Sequence, residues 1–309
     1  MTHTILGAGG PIGNGLAGLL IERGIPVRLV GRKPGLLHGA ESIAADLVDT
    51  QSTLRAVAGS SVVHLMAGLQ YSTSVWRDCW PIIMQNTIEA CKRSSARLLF
   101  FDNVYMYGKV SGPMTEETPY NPCSKKGEVR ARIANLMMDE VKAGNLTAMI
   151  ARSADFYGPA TPNGVANILV FEALVRGAKA SWLVNADVPH SFTYIPDAAR
   201  AVAELAQQDS AWNQVWHLPT APNPPTGREF IGAAAKEFGV APEFRVYSRL
   251  MLRLAGIFDS KIRESYEMLY QSESPYLFDS TKYARKFGFS GTPYAEGIRT
   301  SAQSYKKHV

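Results

Sequence analysis

Cysteine is scarce in this 309-residue sequence. The three present, Cys79, Cys91 and Cys123, are odd in number and widely spaced, which excludes a disulfide framework or a four-ligand zinc site. No His-x-x-x-His pair or carboxylate cluster suggests a metal by another route. Charged residues make up only 19% of the chain, and no uninterrupted apolar run approaches the roughly 20 residues needed to cross a bilayer. The opening Met1-Thr2-His3-Thr4-Ile5-Leu6 lacks the basic start and apolar stretch of a secretion signal, so a cytoplasmic protein is expected. Internal repeats and low-complexity tracts are absent as well.

What is present describes a globular chain. Hydrophobic residues make up 46%, enough for one large core or two smaller ones. The net charge of +5 comes from cations scattered in short pairs, Arg32-Lys33, Lys125-Lys126 and Lys306-Lys307. A nucleic-acid surface would gather them on one element with aromatic neighbours. A small-molecule substrate is therefore expected as partner, not nucleic acid or a membrane.

The first half alternates short β-branched or apolar runs with longer segments of helical period. Strands are expected at 4–6, 27–30, 42–45, 62–66, 98–101 and 148–151, with helices at 12–23, 50–58, 80–93 and 126–143. Strict alternation implies βαβ units and a Rossmann-type, doubly wound parallel α/β sheet. Beyond about residue 155 proline and glycine become frequent and helices predominate. Helices are expected at 196–207 and from an N-cap at Thr226 to Gly239. The expected division is a dinucleotide-binding domain over 1–154, to which 187–215 return. Residues 155–186 and 216–309 would form a smaller substrate lobe, with Phe156, Phe171, Trp182, Phe192, Trp212 and Trp216 giving it aromatic character.

The strongest local signal is Gly7-Ala8-Gly9-Gly10-Pro11-Ile12-Gly13, directly after the first strand and opening the first helix. A pyrophosphate needs backbone N–H groups at a helix N-terminus, and glycine lets that backbone approach closely. On this reading Gly7 makes the tight turn, Gly10 removes a side chain facing the phosphates, and Gly13 lets helix and strand pack. The second strand ends Val30-Gly31-Arg32-Lys33, without the carboxylate that would hold an adenosine ribose and repel a 2′-phosphate. Arg32 and Lys33 can pair with that phosphate, so NADP(H) is expected over NAD(H). Asp46 either holds the adenine amine or caps the next helix.

Taken together, these residues resemble the short-chain dehydrogenase/reductase superfamily in its extended, NAD-dependent epimerase/dehydratase-like branch. The resemblance is carried by Gly7/Gly10/Gly13, Asp46-Leu47, Val63-His64-Leu65-Met66-Ala67, Asn86, Tyr107-Gly108, Thr115 to Pro119, Pro122, Arg152, Tyr157-Gly158-Pro159 and Phe192 to Asp197. It implies cofactor contacts at Leu47, Met66 and Ala67, and a homodimer through helices 80–93 and 126–143. It also implies a catalytic Ser, Tyr and Lys, whose positions fall here on Asn103, Lys126 and Arg130. All three are replaced, and no tyrosine lies between 121 and 156. Asn103 can still orient a substrate oxygen, and Arg130 can hold ribose hydroxyls but cannot shuttle protons. Lys126 is either a general acid or an exposed first-turn residue beside Lys125. Tyr71, Tyr105, Asp155, Tyr157 and His190 are candidates to line the substrate site, and His64 reads as a satisfied core histidine. The expected function is an NADP(H)-dependent oxidoreductase that reduces a small carbonyl or oxidises the alcohol. A catalytically silent NADP(H) sensor is the alternative, and a nucleotide-sugar epimerase or dehydratase a third.

Overall fold

The computed structural model describes residues 1–159 and 161–307. Ala160, His308 and Val309, all within the expected second lobe, lie outside the described residues. In chain order the first half runs β1 (Thr2–Leu6), α1 (Pro11–Glu22), β2 (Val27–Gly31), β3 (Ala40–Ala44), α2 (Thr50–Val57), β4 (Ser60–Leu65), α3 (Thr73–Ser94), β5 (Arg97–Asp102), α4 (Lys125–Lys142) and β6 (Ala148–Arg152). Then follow β7 (Asp155–Tyr157), α5 (Glu172–Val175), β8 (Ala180–Leu183), β9 (Phe192–Tyr194), α6 (Ile195–Ala206), β10 (Val215–His217), α7 (Gly227–Phe238), β11 (Phe244–Tyr247), α8 (Arg249–Phe258), α9 (Ser260–Ser265), α10 (Thr281–Phe287) and α11 (Tyr294–Lys306).

Two compact units emerge. The first comprises 1–108, 120–152 and 198–216; the second, 109–119, 153–197 and 217–309. In the first, a seven-stranded sheet has the order β10-β6-β5-β4-β1-β2-β3, and every pair among β1 to β6 is parallel. The strand order reverses beside β1, the point at which doubly wound sheets bind ligands outside the carboxyl ends of their strands. Strands buried on both faces read as continuous apolar runs. Here Leu6, Val30, Val63, Leu65, Leu98, Phe100 and Ile150 pack with Trp80, Ile83 and Met84 of α3 and with Ile133 and Met137 of α4. Each such side chain removed from water contributes about 1.5–3 kcal/mol.

One boundary differs from the sequence pattern by seven residues. The third helix starts at Thr73, not 80, and runs through Pro81. A proline usually marks a first turn, but α3 carries it inside because Trp76, Trp80, Ile83 and Met84 bury one continuous face. In the second unit, α7 has a reciprocal capping box between Thr226 and Glu229 and stops at Gly239 in the left-handed conformation. Residues 192–194 belong to this unit because β9 pairs with β7, whereas Trp212 and Trp216 belong to the first.

Candidate dinucleotide and active site

The turn after β1 is shaped by its glycines. Gly7 has φ +91°, and a Cβ there would sit 2.2 Å from the Ala67 Cα, so only glycine fits. The amides of Gly7 and Ala8 both donate to the Val30 carbonyl, at 2.8 and 3.0 Å. Gly10 is the N-cap of α1, with no side-chain cap, and open space surrounds the place its Cβ would take. Intrahelical bonding begins with the Asn14 amide donating to the Gly10 carbonyl. Pro11 has no N–H, so the amides of Ile12 and Gly13 remain for an anion at the positive end of the helix. This cradle fits a dinucleotide pyrophosphate. The Ile12 side chain is itself buried in the core, so only its backbone can serve. Gly13 is less constrained than its spacing implies: a Cβ would lie 3.6 Å from Ile5, an ordinary contact. The tighter approach comes at Gly15, 3.1 Å from the Ala199 Cβ.

At the end of β2, Arg32 and Lys33 are exposed and make no ion pair among the described residues. Arg28, earlier in the strand, is instead spent on Glu41 at 2.7 Å. Asp46 is exposed and accepts from the Val48 amide, while the helix cap falls to Asp49. Leu47 turns its side chain into the core, and its carbonyl accepts from Asn86 Nδ2 at 2.9 Å. Asn86 thereby clamps the turn between β3 and α2, also accepting from the Thr50 hydroxyl. After β4, Met66 and Ala67 lie half-buried beside Gly7.

The three positions matched to the catalytic residues meet different fates. Asn103 follows β5 directly; its Oδ1 accepts from the Tyr105 amide at 3.0 Å, leaving Nδ2 as a donor. Lys126 is not an exposed first-turn residue. It is fully buried, its Nζ donating to Thr73 Oγ1 at 2.9 Å and standing 4.7 Å from the Tyr71 ring centre. The first turn of α4 can press inward because position 127 is glycine: a Cβ there would meet the Tyr105 carbonyl at 2.6 Å. Tyr105 stacks on Trp76, and Tyr71 meets the same indole edge-on.

Arg130 departs furthest from its expected role of holding ribose hydroxyls. Its guanidinium is buried over the rings of Trp76 and Trp80, at 4.6 and 4.2 Å, and its Nη1 lies 3.3 Å from Asp102 Oδ1. Asp102 also faces Arg152 Nε at 3.7 Å, and Arg152 donates to the hydroxyls of Tyr107 and Tyr120. Burial pushes the Asp102 carboxyl above its ordinary value, against the pull of the two guanidinium groups. Burial likewise pulls Arg130 down. Sequence spacing gives Asp102 and Arg152 no catalytic signal, since fifty residues separate them. The Trp76/Trp80 i,i+4 pair was the readable sign that something flat and cationic would be caged against α3.

In the second unit, His190 Nε2 is 3.0 Å from Asp155 Oδ2, and the imidazole stacks on Tyr276 with ring centres 4.3 Å apart. The Asp155 and His190 candidates are thus brought together. Tyr157, expected at the substrate site, is instead a core residue, 1% exposed and packed among Phe192, Tyr194, Phe230 and Tyr294. That burial pushes its hydroxyl well above the ordinary phenol range and rules out acid–base work near neutrality. Among the described residues no group of three metal-ligating side chains occurs, and no helix is long and apolar enough to cross a membrane.

A 3-2-1-4-5-6 parallel sheet with an uncapped, glycine-lined helix start defines an α/β dinucleotide-binding protein. Residues 3–217 match the NAD dependent epimerase/dehydratase family, and the chain belongs to that family. No curated protein matches it in sequence. Among solved structures, UDP-glucose 4-epimerase from Thermus thermophilus, in complex with NAD, is 18% identical with a TM-score of 0.81 and full coverage of both chains. UDP-glucuronic acid 4-epimerase from Bacillus cereus is 17% identical, TM-score 0.83, also covering both chains fully. The dTDP-glucose 4,6-dehydratase DesIV from Streptomyces venezuelae is 17% identical, TM-score 0.82, covering 99% of this chain and 97% of its own. At these identities the likeness establishes the fold alone.

Proposed function

We propose that the protein is an NADP(H)-dependent oxidoreductase that reduces a small carbonyl compound, or oxidises the corresponding alcohol. The amides of Ile12 and Gly13 would hold the pyrophosphate, Arg32 and Lys33 the 2′-phosphate, and Met66 and Ala67 would flank the dinucleotide beyond β4. When bound there, the dinucleotide supplies the hydride. Lys126 donates a hydrogen bond to the carbonyl oxygen and passes it a proton as charge develops, and is then reprotonated by way of the half-exposed Thr73 hydroxyl. The Thr73 hydroxyl fixes the ammonium in direction. Asn103 Nδ2 is a second donor to that oxygen, its Oδ1 being engaged by Tyr105. Arg130 has no part in this step.

The observation that carries the reading is Lys126, a buried ammonium held by a hydroxyl at the carboxyl edge of a dinucleotide-binding sheet. Burying a cation is costly, and Lys126 falls where the sequence resemblance puts the family's proton donor. Purified protein should oxidise NADPH in the presence of at least one member of a broad carbonyl panel. Lys126→Ala should lose about 10²–10⁴-fold in turnover while retaining NADPH binding. If NADPH binds and nothing is reduced, the silent sensor becomes the better account. One observation already favours it: Arg130 is locked against Asp102. A nucleotide-sugar epimerase or dehydratase has the family match behind it, but it stands third because no tyrosine lies between 121 and 156 to serve such chemistry. The reading also takes the protein to be a cytoplasmic homodimer paired through α3 and α4, which light scattering would test.

A further inference from the structure

Helix α8 presents its surface the wrong way round for a helix of a freely diffusing protein. Leu250, Leu254, Ile257 and Phe258 recur at i, i+4, i+7 and i+8, the spacing of one helical face. That face points to solvent: Leu250 is 66%, Leu254 54%, Ile257 65% and Phe258 91% exposed, with Met251 beside them. The inward side buries only Leu252 and Gly256. Gly256 lets α9 come close, because a Cβ there would lie only 3.2 Å from the Arg263 Cα. Scattered exposed apolar residues are ordinary on any protein, but five large ones on a single ten-residue helix form a patch that marks a contact surface.

The charge on the helix itself has one sign: α8 carries Arg249 and Arg253 and no carboxylate, while Glu243, Asp259, Glu264 and Glu267 lie beyond its ends among Arg245, Lys261 and Arg263. Asp259 is engaged in capping α9, accepting from the Lys261 and Ile262 amides. Arg249 is matched by Glu273 from outside the segment, and Arg263 donates to the Gly256 carbonyl. Arg245, Arg253 and Lys261 have no acidic partner among the described residues. Arg253 lies on the flank of the apolar face itself, one turn from both Leu250 and Ile257.

We propose that α8 docks the protein on an anionic lipid surface. A solvent-facing apolar helical arc with a cationic rim fits the boundary between acyl chains and acidic headgroups, where apolar side chains enter and cations stay at headgroup level. The proposal does not depend on the reaction catalysed. It leaves intact the absence of a membrane-spanning run, because an interfacial helix lies on a bilayer and does not cross it.

The test is co-sedimentation of the full-length protein with vesicles of phosphatidylcholine alone, or of phosphatidylcholine mixed with phosphatidylglycerol. At roughly 0.1 M salt the protein should pellet with the mixed vesicles and not with the neutral ones. It should be released near 1 M salt, as the screening length falls from about 10 Å to about 3 Å. Arg253→Ala should lower the partition coefficient about fivefold, equivalent to the roughly 1 kcal/mol each cation contributes at an anionic leaflet. The double variant Leu254→Glu/Ile257→Glu should stay in the supernatant with an unchanged melting curve, both positions being exposed. Failure of the unmodified protein to pellet with anionic vesicles overturns the proposal, as does pelleting that the double variant retains. Absence of vesicle binding, combined with a dimer that Leu254→Glu dissociates, also overturns it and assigns the face to a protein partner.

Discussion

Asp102 faces Arg130 at 3.3 Å and Arg152 at 3.7 Å, with all three side chains withdrawn from water. Two cations and one carboxylate leave an excess positive charge indoors. The electron-rich faces of Trp76, Trp80, Tyr107 and Tyr120 offset part of it. Removing the single carboxylate therefore strands two guanidinium groups. Asp102→Asn keeps the shape and an acceptor for the Asn103 amide, yet should destabilise the fold by about 3–5 kcal/mol, read as a lowered urea midpoint. The exposed Asp78, paired only with its neighbour Arg77, is the control: Asp78→Asn should leave that midpoint where it was. Dinucleotide choice is decided at the same scale. Arg32→Ala/Lys33→Ala should weaken NADPH binding about tenfold or more, the lower range for losing a charge-assisted contact at an exposed site. NADH binding should be unaffected in the same calorimetric titration. Equal weakening of both would show that these cations do not read the 2′-phosphate.

The elements legible in the sequence are those whose partners are close along the chain. β1, β2, β4, β5 and β6 are apolar runs covered on both faces, and α1, α4 and α6 fall within one residue of their expected limits at both ends. The strands of the second unit are three or four residues long and pair across gaps of tens of residues, Asp155 with Phe192 and Ala180 with Phe244. Nothing local specifies such pairings, so they could not be read. Part of the site was hidden for a related reason. The cradle from Gly7 to Gly13 is contiguous and announces itself. Thr73, which holds Lys126, went unread because the interior Pro81 obscured the first two turns of α3. His64 is buried in the core as its strand position suggests, but it is only half satisfied: its Nε2 lies 3.1 Å from His3 Nδ1 on β1, a partner the sequence did not make apparent, and its Nδ1 has no hydrogen-bond partner. Burial, reinforced by Arg97 and the amino terminus, lowers His3 to about 4, and burial together with His3 lowers His64 well below the usual imidazole value. Both rings are neutral in the fold at pH 7. Below about pH 6.5 the unfolded chain takes up protons that the folded pair refuses. The stability present above that pH is thus progressively lost, for His3 down to about pH 4. His64→Gln should flatten the fall in urea midpoint between about pH 7 and 5. An equally steep fall in the variant would show that other groups govern it.

Over the whole chain, the dinucleotide reading has a thermodynamic consequence that needs no substrate. A ligand that binds only the folded protein stabilises it by RT ln(1 + [L]/Kd), about 2.7 kcal/mol at a hundredfold excess over Kd. With an unfolding entropy of about 2.1 cal/mol/K per residue, a chain of 309 residues shifts its melting temperature by roughly 1.5 °C for each kcal/mol. NADP⁺ should therefore raise the midpoint by about 4 °C at that excess. NAD⁺ at the same concentration should raise it less, in proportion to the logarithm of its weaker affinity. The two units carry separate apolar cores, one around Phe100 and Trp80, the other around Phe171 and Phe230. If they melt in separate steps, the shift belongs to the unit that contains Gly7, Arg32 and Lys126, and the other transition stays fixed. Scanning calorimetry with each dinucleotide distinguishes these cases. A larger shift with NAD⁺ than with NADP⁺ would reverse the cofactor assignment while leaving the cradle itself in place, because the amides of Ile12 and Gly13 serve either pyrophosphate.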